Sequence, residues 1–240
     1  MLRHASRRAF FALVALSVAA PAAAQITVSR SVIEFTDDSR IQDVEIVNTG
    51  DVRMYLDMKP AEIISPASNA PERRELDDPR DAPLIVTPRQ LLVAPGERKR
   101  VRMILRDELI EERVFRLAIN PYVGNVRLDE SREGGDKASA IKVLVGYDLL
   151  LLARPLPLEP KLEVTRTEDA IEFVNAGNTN VLLNSITQCD SEGNDCEELE
   201  PDRLYVGETL RMKLPKVGPA GDFPVEVHRS VGLENTREVF

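Results

Sequence analysis

The chain has 240 residues, with 31 Lys and Arg against 40 Asp and Glu, 16 prolines, two cysteines and no tryptophan. A net charge of −9 and 5% aromatic residues rule against nucleic acid as a partner, because phosphate binding requires clustered cations and single strands require stacking platforms. Two histidines and two cysteines leave little from which to build a metal site or a Ser-His hydrolase, so no cofactor or metal is expected.

Residues 1–24 read as a secretory signal peptide. Arg3, Arg7 and Arg8 precede an apolar run over 9–20, and Ala22-Ala23-Ala24 offers a small-residue cleavage site. Cleavage removes three arginines and no acid, which moves the net charge from −9 to −12 and leaves His228 as the only histidine. The longest remaining apolar run, 149–153, is far short of the roughly 20 residues a membrane helix needs. An exported protein without membrane insertion is expected.

From residue 26 on, short alternating or β-branched runs recur between turn residues, the pattern of an all-β sandwich. The predicted strands of the first half are 26–35, 41–47, 54–58, 84–86, 90–93, 98–105, 113–119 and 140–153. Asn48-Thr49-Gly50-Asp51 and Ala94-Pro95-Gly96-Glu97 are turns in which Gly supplies positive φ and Pro presets φ. The polar stretches 65–83 and 124–139 read as loops. The prolines at 155, 157 and 160 mark a stiff linker, so the domains are drawn as 25–154 and 155–240. Predicted strands of the second domain are 161–165, 170–174, 180–188, 203–205, 208–214 and 225–230. Cys189 and Cys196 flank a turn-forming hexapeptide and read as a disulfide clipping a hairpin.

The strand over 140–153 carries the functional question. Ile141, Val143, Val145 and Tyr147 share one face by the period-two rule, and a strand so apolar is either core or a template for strand addition by a partner. Acidic pairs such as Asp77-Asp78 and Glu197-Glu198 lie in polar loops rather than apolar clefts, and no enzyme activity is expected from them.

Several segments in order resemble the periplasmic chaperones of the chaperone-usher pathway for fimbriae. Ser29-Arg30-Ser31-Val32-Ile33-Glu34-Phe35 resembles the family's first strand, and Val44-Glu45-Ile46-Val47-Asn48 its second. Leu91-Leu92-Val93-Ala94-Pro95-Gly96 followed by Arg100-Val101-Arg102-Met103-Ile104 is similar to its most recognisable signature, and Arg154-Pro155 to the end of the first domain's last strand. The resemblance implies two immunoglobulin-like β-sandwich domains in a boomerang arrangement. It implies a periplasmic protein that binds pilin-like fimbrial subunits by donor-strand complementation and delivers them to an outer-membrane usher. Ile141, Val143 and Val145 would face the subunit, and a dimer would cap the exposed strand of the free protein. It also implies that an Arg of the first strand and a Lys of the last hold the subunit's terminal carboxylate; Arg30 is the nearest match for the Arg. Counting back from Pro155 places Asp148 at the Lys position, where it repels a carboxylate and offers Arg30 an ion-pair partner. The competing reading is an exported immunoglobulin-like adhesin or scaffold protein, with the strand internal.

Overall fold

The computed structural model describes residues 25–122 and 144–240. The leader, the 124–139 loop, Ile141 and Val143 lie outside the described residues. In chain order the strands of the first sandwich are β1 (Ile26–Val28), β2 (Val32–Phe35), β3 (Ile41–Asn48), β4 (Met54–Ile64), β5 (Glu72–Glu75), β6 (Leu84–Thr87), β7 (Gln90–Val93), β8 (Arg98–Leu105), β9 (Arg113–Tyr122) and β10 (Tyr147–Ala153). Those of the second are β11 (Leu162–Arg166), β12 (Ala170–Asn175), β13 (Val181–Cys189), β14 (Cys196–Leu199), β15 (Arg203–Leu204), β16 (Thr209–Lys213), β17 (Val225–Val231) and β18 (Glu234–Val239). Among the described residues there is no helix.

Sheet order in the first sandwich is β1-β3-β8-β6 facing β2-β10-β9-β4-β5, with β7 beside the start of β4. In the second it is β11-β12-β16 facing β14-β13-β17-β18, with β15 on β13. Each pair of sheets closes on its own core. Phe35, Phe115, Met58, Leu151 and Met103 are among the buried residues of the first, and Phe173, Ile186, Leu204 and Val227 of the second. The alternation that predicted the strands aims them. In β8, Val101, Met103 and Leu105 point inward while Arg100 and Arg102 point out, opposite Glu45 and Asp43 of β3. Arg102 forks onto Asp43 at 2.9 and 3.0 Å and holds that carboxyl below the usual carboxylate range.

The run 26–35 is two strands rather than one, and the break between them matters. At Ser29 the backbone still bonds β3, its N–H donating to the Glu45 carbonyl and its hydroxyl accepting from the Glu45 N–H. By Ser31 the carbonyl accepts from Leu150 N at 2.9 Å, so the chain has crossed to the opposite sheet. The polar stretch 65–83 contains β5, whose four charged residues carry no apolar alternation and leave no periodic signal. The exposed strands β14 and β18 escaped prediction for the same reason.

One corner is built twice. Asn48 ends β3, donating from Nδ2 to the carbonyls of Val52 and Val93 while Oδ1 accepts from Gly50 N. Asn175 ends β12 and does the same to Thr179, Leu204 and Gly177. Each asparagine's carbonyl accepts from the turn glycine of its sandwich, Gly96 or Gly207, with φ of 73° and 80°, a region L-residues rarely adopt. A glutamate one residue on, Glu97 or Glu208, closes each turn by accepting the N–H of Ala94 or Tyr205. Both asparagines are fully buried, which full hydrogen bonding makes tolerable. In the second sandwich this corner lies against the first and supplies half of the joint between them. Cys189 and Cys196 are disulfide-bonded across the β13–β14 hairpin.

Candidate strand-docking edge and interdomain cleft

The four leucines and Ala153 of β10 are buried because this part of the strand is paired on both sides. Leu150 to Ala153 run parallel to β2 on one side and antiparallel to β9 on the other. Before Leu150 the situation changes. Tyr147, Asp148 and Leu149 pair only with β9, since the segment preceding β2 has crossed to the other sheet. Leu150 N–H points towards β2, so by alternation the backbone N–H and C=O of Asp148 face the uncovered side. Tyr147 fixes this end of the strand, its hydroxyl donating to the Ile26 carbonyl at 2.9 Å across the sandwich. Val145 is in phase with the core-facing Tyr147, Leu149 and Leu151 yet 48% exposed. The strand is therefore core at its C-terminal half and a one-sided edge at Tyr147 to Leu149.

Arg30 sits at the sheet crossing, on the β3 side. Its Nη2 donates to Gln42 Oε1 at 3.0 Å and to the Asp43 carbonyl at 2.7 Å. Asp148 pairs with Arg73 rather than with Arg30, because Arg73 reaches across the sheet from β5 and donates to both carboxylate oxygens at 3.1 to 3.3 Å. Burial works against the Arg73 charge, and bonds to Asp148 and Glu75 more than offset it. Only the unpredicted strand β5 makes this pairing available.

The outer face of the β10 sheet meets the second sandwich. The register places Val32, Leu150, Arg116 and Ala61 in one row across it, and Glu34, Leu152, Val114 and Ile63 in the next. Leu152 on this outward face is fully buried, since Val114, Leu150, Leu152 and Ile63 pack with Tyr205 of the second sandwich. Burial pushes the Tyr205 phenol up against the opposing pull of Arg203 and Arg116. Beside this contact lies a cavity of ≈ 370 Å³, walled by Ile63, Val114, Tyr205 and Val206, with Glu62 and Arg113 paired at 2.7 Å on its rim.

A buried polar cluster holds the two sandwiches together. Arg154, 3% exposed, pairs with Glu34 at 3.0 Å and Glu112 at 3.3 Å, and it bonds Thr179 and both oxygens of Asn180. Glu112 Oε2 also accepts from Thr179 Oγ1 at 2.7 Å, Asn180 N at 2.9 Å and Asn180 Nδ2 at 2.7 Å. Arg203 bonds Asn180 Oδ1 from the far side. In sequence the arginine before Pro155 marks the end of the first domain's last strand and the start of the linker; its place at the centre of the joint needed the fold.

No family model and no curated protein sequence matches the chain. Solved structures do. The class 5 fimbriae chaperone CfaA superimposes with a TM-score of 0.64 at 16% identity, over 89% of this chain and 98% of its own. A chain in the CsuC–CsuE chaperone–tip adhesion subunit pre-assembly complex of Acinetobacter baumannii gives 0.60 at 11% identity, covering 90% and 98%. One in the complex of Salmonella enterica SafA pilin with the SafB chaperone gives 0.60 at 12%, covering 92% and 99%. Among the described residues no helix is long and apolar enough to cross a membrane. The chain thus has the all-β, two-sandwich fold of the fimbrial chaperones across nearly all of its described length.

Proposed function

We propose that this protein is a periplasmic chaperone that binds fimbrial subunits by lending them the strand running into β10, and that it passes them to an outer-membrane usher. The observation that carries the reading is the one-sided edge at Tyr147 to Leu149, upstream of which the sequence is apolar at every second position, Val145, Val143 and Ile141. A subunit with an open groove would extend the sheet along this edge, its backbone pairing with Asp148 and the residues before it, while the apolar side chains fill the groove. Neighbours of the same fold have been captured as chaperone complexes with a pilin and with a tip adhesion subunit, which supports subunits of that kind as clients. The buried Arg154 cluster would hold the second sandwich at a fixed angle beside the edge. In the free protein a second copy would cover the same edge, as unpaired strands invite.

Periplasmic co-purification tests the reading. The wild type should bring down a small subunit. Changing Ile141 and Val143 together to Asp removes two groove-filling side chains worth about 1.5 to 3 kcal/mol each, an affinity loss of roughly 10² to 10⁴. Undiminished capture by the double variant would overturn donor-strand binding; no client for the wild type would overturn the chaperone reading.

A further inference from the structure

We propose that the cavity between the two sandwiches binds a small organic ammonium ion, a cationic nitrogen on an apolar body, and that Glu111 and the free oxygen of Glu112 receive its charge. The site uses no residue of the strand-docking edge and does not depend on the chaperone reading.

The cavity has the make-up of a ligand pocket rather than of a packing gap. Its volume of ≈ 370 Å³ falls in the range of small-molecule sites, which gather where domains meet. Both sandwiches build it, Ile63 and Val114 coming from β4 and β9 of the first, Tyr205 and Val206 from the turn between β15 and β16 of the second. Val206 is 39% exposed, so this wall has apolar surface still to cover. On another side the chain leaves β4 through Ser65, whose φ of 52° puts a residue other than glycine in the left-handed region. Such conformations persist where the surroundings hold them, and they gather at binding sites.

The polar groups select the sign of the ligand. Glu62 is already committed, because Arg113 and Arg74 both pair with it. Glu112 is only half committed. Its Oε2 accepts all four bonds of the joint, whereas Oε1, itself buried, accepts none. A buried carboxylate oxygen without a donor is unfavourable, and a bound N–H would satisfy it. Glu111, also on the cavity wall, has neither an ion pair nor a hydrogen bond among the described residues. The same holds for the Tyr205 hydroxyl, which can accept a further bond. A carboxylate ligand would be repelled by two glutamates, and a neutral one would leave the Glu111 charge unmatched. An ammonium supplies three N–H donors to these acceptors, while its apolar body covers Ile63, Val114 and Val206.

The test uses the full chain and three probes of nearly equal shape: phenethylammonium, phenethyl alcohol and phenylpropionate. Saturation-transfer NMR titrations should give the ammonium an affinity about 10-fold above that of the alcohol, with the propionate weakest. Glu111→Gln and Glu112→Gln should each cut that ratio by about threefold or more while alcohol binding persists. Because the ratio is read within each variant, a loosened joint moves both probes together, whereas a lost charge moves one. Val206→Trp, which fills the cavity from an exposed turn, should remove all three probes, with far-UV circular dichroism reporting that the variant folds. Glu111→Lys supplies a tethered ammonium and is the second block; it should weaken phenethylammonium by more than about 10-fold. Since the ligand touches both sandwiches, phenethylammonium at roughly 10 times its Kd should raise the thermal midpoint by about 3 to 6 °C. Equal affinity for ammonium and alcohol, or a preference that survives both glutamine variants, overturns the proposal. Undiminished binding to Val206→Trp or to Glu111→Lys places the ammonium elsewhere and overturns it too.

Discussion

Glu112→Ala is the sharpest test of the joint between the sandwiches. One oxygen of this carboxylate, Oε2, accepts all four of its hydrogen bonds: from Arg154, Thr179 Oγ1, Asn180 N and Asn180 Nδ2. Its side chain is 1% exposed and that of Arg154 3%, so neither charge has water to fall back on. Truncation leaves Arg154 with Glu34 as its one carboxylate and strands three donors in a buried interface. Breaking a buried pair from one side costs about 3 to 5 kcal/mol. With a urea m-value of about 2.5 kcal/mol/M for a chain of this size, the unfolding midpoint should fall by about 1.5 M. Far-UV circular dichroism is the natural probe, because the chain has no tryptophan. Glu112→Gln keeps the shape and one acceptor oxygen, and should cost roughly half as much. A midpoint within about 0.3 M of wild type for the Ala variant would show that water or rearranged side chains satisfy the cluster, and that the joint does not depend on this carboxylate.

Two further outcomes are expected in the second sandwich. Arg237 and then His228 draw the Glu226 carboxyl down to about 2 from its ordinary 4.5, so its contribution is complete above the ordinary carboxylate value and lost as pH falls through about 2. Carboxyl ¹³C titration should find that midpoint, and Arg237→Ala should move it up; a value indifferent to Arg237 refutes the pairing. Replacing Cys189 and Cys196 with alanine opens an eight-residue loop and should lower stability by about 2 to 3 kcal/mol. An unchanged thermal midpoint would mean that the β13–β14 pairing alone defines the hairpin.

The amino-acid pattern alone determined the fold class and most of the strands, because burial of one face writes a period of two into β3, β8, β9 and β13. It also marked the 140–153 run as the segment that raises the functional question, since so apolar a strand is expected to be either buried or paired with a partner. Tertiary structure decided which part of β10 is covered on both sides and which is left with one uncovered edge. Leucine at 150 and at 152 looks alike in sequence, and so does valine at 145; crossing of the first strand at Ser29 to Ser31 covers the C-terminal half of β10 and leaves the N-terminal half open. Charged residues were the least legible. Arg30, Arg73, Arg116 and Arg154 carry the same group, and what separates them is the partner that non-local pairing brings: a β3 carbonyl, a carboxylate three strands away, almost nothing, and a buried cluster between two sandwiches. A guanidinium's role is set by the field around it, and that field exists only once strands distant in sequence lie side by side.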